Sequence, residues 1–365
     1  MNILLTTFPE QRSANVGDAL IAFSALNLLQ ARYREYSPKV LYREFDLDTL
    51  GHHKADSVLA PGFSVSEGVY RNLYSLYADL DRLAHFYPVG CSFQTPLIPG
   101  KPLNAFRYGN DTVSFLRNMA TRFGPLPCRD ASIVRILENN GIAAVYSGDL
   151  ALFDETLVGK EFTGSAEPSS IVVTIGHHPK YAHQSLRLMH LLKEHFKDAK
   201  LYVAFHSRPN GHSLQLAAQA TRLGFSELHL YGSVDNLNIY DSIDFHIGYR
   251  LHGHVAFLRR RKPSVLLMED VRSYGFASTP GMEVGCIQAF VQDSLEPEEK
   301  AAEAAIGFAR DQLRENFLGY ARCFASIDRT YTDFIAPYFN NLARNLYLED
   351  SATHKTQYLT EVPIS

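Results

Sequence analysis

A chain of 365 residues, 46% hydrophobic and 20% charged, has an ordinary globular composition and the length of two domains. Its formal net charge of −4 offers no general attraction to nucleic acid or to an anionic membrane, and no apolar run reaches the length of a bilayer span. Cys91, Cys128, Cys286 and Cys323 are scattered without a C-x-x-C pair. That spacing fits neither a zinc site nor a small disulfide framework, and points to reduced thiols in a cytoplasmic protein.

Residues 1–7 lack a positive leader and a long apolar core, so they read as a first strand at 3–6 and not as a signal peptide. A helix follows at 18–31, with Ala19, Ala22, Phe23, Leu26 and Leu29 at helical spacing. Between them stands Asn15-Val16-Gly17-Asp18. Gly17 permits close approach of the backbone to a ligand, and Asp18 suits a helix N-cap. G-x-G-x-x-G is absent here, so no dinucleotide fingerprint is supported. Further strands are expected at 40–45, 57–60 and 86–90. The last two run into Ala60-Pro61-Gly62 and Val89-Gly90-Cys91-Ser92-Phe93-Gln94, at the carboxyl edge of a sheet, where clefts form. Ser92 and Gln94 are uncharged groups suited to sugar hydroxyls. Tight strand-to-loop turns explain both segments equally well.

Helices at 112–122 and 131–140 and a strand at 143–147 complete the first half. Cys128-Arg129-Asp130-Ala131-Ser132 opens the second helix, with Asp130 or Ser132 as cap. Arginine at a helix N-terminus opposes the dipole unless it meets an anion. A solvated arginine or a structural ion pair is the competing reading. Ser147-Gly148-Asp149 ends the strand, which makes Asp149 a substrate contact or, more simply, a turn residue. The polar stretch 158–170, rich in Gly and Ser, reads as an interdomain linker. It divides a first Rossmann-like domain, 1–160, from a second, 170–325, with helices and a tail at 326–365.

In the second half, strands at 171–176, 201–205, 228–230 and 264–268 alternate with helices at 184–196 and 213–223. From 296 to 347 the pattern is helical, and the polar stretch after Leu348 reads as a loose tail. Alternation of this kind predicts parallel sheets covered by helices. The fold class is therefore α/β, two Rossmann-like domains facing each other across a cleft, with C-terminal helices. Ile175-Gly176-His177-His178 and Phe205-His206-Ser207-Arg208 end two strands. With no H-E-x-x-H pattern and no carboxylate at ligand spacing, no metal is expected, and these histidines read as loop or edge residues.

The most restrictive context is Gly248-Tyr249-Arg250-Leu251-His252-Gly253-His254, a polar island between an apolar strand at 241–247 and a buried helix from Val255. A strand-to-helix junction is where α/β proteins bind ligands. Arg250 can grip a carboxylate or phosphate with two parallel N–H bonds, and a histidine such as His252 can carry a proton near neutral pH. A buried ion pair of Arg250 with Asp241 or Asp244 is the structural alternative. Arg259-Arg260-Arg261-Lys262 ends the helix, where solvated cations suit the dipole; contact with an anionic membrane is the other reading.

The order Asn15-Val16-Gly17-Asp18, Arg129-Asp130-Ala131-Ser132, Asp149, Arg250-Leu251-His252 and Lys262-Pro263 resembles the polysaccharide pyruvyl transferases, from the first strand to about Gly285. The resemblance implies a GT-B-like fold. It also implies transfer of a pyruvyl group from phosphoenolpyruvate to a sugar, closing a cyclic ketal across two hydroxyls. It carries Arg129, Arg250, Leu251, His252 and Arg272 to the donor site, with His252 and Arg250 catalytic. It carries Asn15, Gly17, Asp18, Gly62 and Ser92 to the acceptor side. Phosphoenolpyruvate enters as substrate, with no cofactor. The acceptor is a lipid-linked or nucleotide-linked sugar of a surface polysaccharide or its precursor, met in the cytoplasm at the inner face of the membrane. One departure stands out in Glu269-Asp270-Val271-Arg272-Ser273-Tyr274-Gly275: Arg272 takes the place of a usual lysine. Arginine binds phosphate bidentately but does not readily release a proton, which favours anion binding. A GT-B glycosyltransferase using a nucleotide sugar, and a non-catalytic sugar-binding relative, are the alternatives these residues leave open.

Overall fold

The computed structural model describes residues 1–51 and 55–360, with side chains as far as Leu348. In the first half the chain forms β1 (Asn2–Thr6), α1 (Val16–Gln30), β2 (Lys39–Tyr42), β3 (Ser57–Pro61), the short α2 (Val69–Asn72) and β4 (Phe86–Val89). It continues through α3 (Asn110–Phe123), β5 (Leu126–Cys128), α4 (Ala131–Asn139) and β6 (Ala144–Tyr146). Four strands pair in the order β2-β1-β3-β4, and β5 pairs with β6. Cys91 bridges the two sets, its N–H donating to Pro127 O at 2.7 Å while its own carbonyl accepts from Arg129 N at 3.1 Å. The sequence pattern missed β5 because Pro127 sits inside it, and proline argues against an interior strand.

The second half holds β7 (Ser170–Thr174), α5 (Ala182–His195), β8 (Lys200–Phe205), α6 (Gly211–Arg222), β9 (Ser226–His229) and β10 (Phe245–Gly248). Then come α7 (Leu251–Arg259), β11 (Ser264–Met268), α8 (Val271–Ala277) and β12 (Cys286–Gln288). These strands form one parallel sheet in the order β12-β11-β10-β7-β8-β9. Ile171-Val172-Val173 and Val265-Leu266-Leu267 are wholly buried, as befits strands covered on both faces. Residues 241–244, expected in a strand, belong instead to a 3-10 segment, Val234–Ser242, and the turn after it. There Ser233 caps the segment and Lys262 takes the carbonyls of Tyr240, Asp241 and Ile243.

Helices α9 (Ala301–Arg314), α10 (Ala321–Thr330) and α11 (Ala336–Thr360) end the described chain, so the backbone is helical through the stretch after Leu348 that reads as a tail. Residues 361–365 lie outside the described residues. Helix α11 returns to the first half: Tyr338 OH donates to Pro88 O at 3.0 Å, and Arg32 Nε donates to Asn340 Oδ1 at 2.6 Å. Phe339, Leu342 and Leu346 share one core with Leu28 and Leu29 of α1 and with the second sheet. Burial of that continuous apolar surface docks the two halves. Among the described residues, no helix is long and apolar enough to cross a membrane.

Candidate active site at the cleft between the two sheets

Each sheet reverses its strand order once, and each reversal opens a crevice at the strands' carboxyl ends. In the second sheet the chain leaves β7 toward β8 and β9, then returns as β10 on the other side. His177 follows β7, Arg250 follows β10, and Glu269 and Asp270 follow the adjoining β11. In the first sheet the reversal falls at β1, whose following loop ends at Asn15, with Gly17 on the first turn of α1. Three backbone bonds join that loop to the second half: Arg208 N to Ser13 O at 2.8 Å, Gly232 N to Ala14 O at 2.9 Å and Val16 N to His206 O at 2.8 Å.

The start of α7 is tightly specified. Gly248 has φ +153°, and a Cβ there would lie 2.3 Å from Thr174 O, so only glycine fits. Tyr249 N donates to that same carbonyl at 3.0 Å, and Arg250 N to Thr174 Oγ1 at 3.2 Å. Thr174 Oγ1 also meets His246 Nε2 at 2.8 Å, and Ser264 Oγ lies 2.7 Å from both His246 Nδ1 and His254 Nδ1. Burial pushes the pKa of His254 down to about 3 and that of His246 well below the usual range, so this buried ladder is neutral scaffolding for the Arg250 turn.

The Arg250 guanidinium lies against the His177 ring. Burial brings its pKa down to about 10; Glu269 opposes this and Arg272 adds to it. Neither Asp241 nor Asp244 is its partner. Asp241 pairs with Arg260, and Asp244 accepts from Ser169 and Ser170. The ion pair considered for Arg250 is thus replaced by contact with a neutral ring.

His252, on the first turn of α7, is 8% exposed, and its Nε2 faces Asp149 Oδ2 at 3.4 Å. Asp149 does cap a 3-10 turn through Ala151 N at 3.0 Å, but its second oxygen is turned to the histidine. Burial works to raise its pKa; His252 and Arg129 outweigh it and hold the carboxyl below the usual range. On its other side His252 presses on Gly17, where a Cβ would lie 2.4 Å from Nδ1. Leu251 is 7% exposed and belongs to the shared core. Arg129 is 6% exposed, its Nε and Nη2 have no hydrogen-bond partner, and Asp130 Oδ2 stands 3.7 Å from Nε. Asp130 is committed to capping α4 through Ile133 N. A buried guanidinium with Nε and Nη2 free of hydrogen bonds keeps donors for a further anion.

Asp18 does not cap α1. Asn15 does, accepting from Gly17 N at 3.1 Å, and its amide donates to Asp18 Oδ2 at 3.0 Å. Burial raises the Asp18 pKa, against the pull of His252 and then Arg272, so Asp18 lies toward those two residues of the second half. Gly62 and Ser92 are bonded to one another, Ser92 Oγ donating to Gly62 O at 3.1 Å, which leaves that hydroxyl proton engaged.

A cleft of about 620 Å³ opens beside this cluster, lined among others by Gln94, His177, Glu269, Asp270 and Arg272. Asp270 caps α8 and accepts from Arg272 Nε at 2.7 Å. Burial alone would raise its pKa; Arg272 and the Ser273 N–H reverse that and keep it ionised. Arg250 and Asn15 line a smaller pocket of about 220 Å³ on the other side of His177. Sequence reasoning set His177 aside as an edge residue, because nothing local reveals that its ring meets Arg250. Among the described residues, no three His, Cys, Asp or Glu side chains gather as a metal-holding group.

The basic run at the end of α7 is not a solvated face. Arg259, 9% exposed, donates to Ser24 Oγ at 2.9 Å and Phe153 O at 2.5 Å. Arg260 pairs with Asp241, Arg261 with Asp328, and Lys262 caps carbonyls, so the run clamps elements together.

The model of the polysaccharide pyruvyl transferase family matches residues 15–270. The chain belongs to that family. In this pyruvyl transferase family member the match begins at the Asn15 cap and ends at Asp270, so it takes in Arg129, Asp149, Arg250 and His252 and stops just before Arg272. No curated protein matches the sequence. Among solved structures, the Staphylococcus aureus MnaA–UDP complex is similar at 13% identity, over 90% of this chain and 92% of that one, with TM-score 0.50. The wall teichoic acid polymerase TagF, as an H444N variant with CDPG, is similar at 14% identity, over 95% and 89%, with TM-score 0.49. The first likeness carries the fold, a GT-B-like pair of parallel α/β units across a cleft.

Proposed function

We propose that this protein transfers a pyruvyl group from phosphoenolpyruvate to a sugar of a surface polysaccharide or its precursor, closing a ketal. The observation that carries this reading is the buried Arg129 guanidinium, whose Nε and Nη2 make no hydrogen bond, beside Asp149 and its partner His252, with Arg250 and Arg272 near one another after β10 and β11. Phosphoenolpyruvate brings a carboxylate and a phosphate, and fixed arginines suit both. They also stabilise charge that grows on a departing phosphate. A sugar hydroxyl attacks C2, phosphate leaves, and a second hydroxyl closes the ring. His252, backed by Asp149 as a carboxylate backs an imidazole in a hydrolytic triad, takes the hydroxyl proton. No cofactor beyond the donor substrate is called for. Gln94 and the first-sheet edge face the acceptor side of the cleft.

The test is thermal shift with phosphoenolpyruvate beside a panel of nucleotide sugars, followed by mass spectrometry for a pyruvyl mass gain on candidate sugars. Stabilisation by phosphoenolpyruvate and a pyruvylated product are expected. Stabilisation by nucleotide sugars alone overturns the reading in favour of a glycosyltransferase.

A further inference from the structure

Pyruvyl transfer needs a proton on the donor's methylene carbon, and the sequence named no group for it except His252. The geometry points elsewhere. His252, held between Gly17 and Asp149, is already the base that takes the hydroxyl proton, and the 620 Å³ cleft beside it has ionisable groups of its own. Of the ionisable groups that do line it, Asp270 is held as an ionised cap beside Arg272. His177 is kept neutral by burial and by the cations Arg250 and Arg272, so it has no proton to give. Lys180 donates to Leu295 O at 2.5 Å, and His178 Nδ1 accepts from Lys180 N at 3.1 Å.

Glu269 differs from all of these. It stands at the carboxyl end of β11, beside the switch point, and both of its oxygens accept from one backbone donor, His177 N, at 3.0 and 2.8 Å. No cation among the described residues reaches it as an ion pair; its nearest charged influences are Asp270 on its own segment, Arg250 from α7 and Arg272 from α8. Tyr181 OH donates to the backbone carbonyl of Glu269 at 3.4 Å and Tyr249 OH to Gln184 Oε1 at 2.7 Å, and burial holds both phenols protonated. Burial first, then Asp270, raises the Glu269 pKa to about 7, against the pull of Arg250.

We infer that Glu269 is the acid that protonates the methylene carbon of the enol phosphate, an inference that rests on the donor reading proposed above. The Glu269 O–H bond breaks, the C2–C3 π pair forms the new C3–H bond, and C2 becomes the electrophile attacked by the sugar hydroxyl. Two hydroxyl protons are released as the ketal closes. One, taken first by His252, passes to the departing phosphate, which leaves as hydrogen phosphate, and the other restores Glu269. A carboxylic acid with a pKa near the working pH is what such a step favours.

The test compares wild type with Glu269→Gln, which preserves the contact to His177 N, and uses His178→Ala as control. Turnover of Glu269→Gln with phosphoenolpyruvate and an accepted sugar is expected to fall by about 100-fold or more, with donor affinity within about threefold. Wild-type turnover is expected to decline as pH rises through about 7, and the residual rate of the variant not to. Binding of anionic phosphoenolpyruvate raises the pKa of the carboxyl beside it, so calorimetry in two buffers at pH 7.5 is expected to find proton uptake on binding. Glu269→Gln loses that uptake and His178→Ala keeps it. Glu269→Gln turning over like wild type, or taking up the same protons, overturns the inference while leaving the donor reading intact. Wild type that neither binds phosphoenolpyruvate nor makes product overturns both. Should Glu269→Gln fail to fold, Glu269→Asp carries the test: its alkaline limb is expected to move, and an unmoved limb overturns the inference.

Discussion

Gly17 and His252 meet across the cleft so closely that no side chain fits between them: a Cβ on Gly17 would lie 2.4 Å from His252 Nδ1. One residue opens the first helix of the first half and the other opens α7 of the second, so the contact ties the two sheet edges at the site itself. Gly17→Ala forces the ring to move. A stability loss of about 1–3 kcal/mol is expected in urea unfolding, as for other overpacked contacts. Turnover is expected to fall further than that loss explains, by about tenfold or more, because His252 leaves its place beside Asp149.

Asp149→Asn tests the second contact of that ring. Removing the charge that faces His252 is expected to lower turnover by about 100-fold or more with donor affinity retained. The pH dependence of stability follows from the lowered Asp149 pKa. Its contribution is present above the ordinary value of 3.8 and is lost as pH falls below 3.8 toward the folded value. Acid unfolding of wild type is therefore expected to steepen in that window, and that component to be absent in Asp149→Asn.

Arg129→Met tests both folding and binding. The Arg129 Nε and Nη2 make no hydrogen bond, while the guanidinium charge is offset by Asp130 at 3.7 Å and by Asp149. The variant is expected to lower the unliganded melting temperature, because two buried carboxylates lose their cation, and to lose about 10- to 100-fold in phosphoenolpyruvate affinity. Intact donor binding contradicts the assignment of Arg129 to the donor.

Arg259→Ala tests the basic run as a clamp. Ser24 Oγ and the carbonyl of Phe153 lose their donor inside the protein. Chemical denaturation is expected to register a loss of about 2–4 kcal/mol. Sedimentation with anionic vesicles is expected to be the same for variant and wild type.

Strand and helix periods, the polar island at Arg250-Leu251-His252 and the five short motifs in order were readable from the chain, because each is a matter of local spacing. They carried the α/β class, the parallel sheets and the family. Strand order was not readable, since it depends on which distant segments pair. That order sets the switch point, and the switch point brings the loops after β7, β10 and β11 side by side. Only there does His177 become a neighbour of Arg250, and Glu269 a buried carboxyl that no cation among the described residues reaches as an ion pair. The docking of the two halves likewise turned Asp149 from a turn residue into the partner of His252, and Arg259 to Lys262 from a surface run into an interior clamp. Burial decided the rest. It strips water from these groups, so their charge depends on neighbours that the linear sequence keeps far apart.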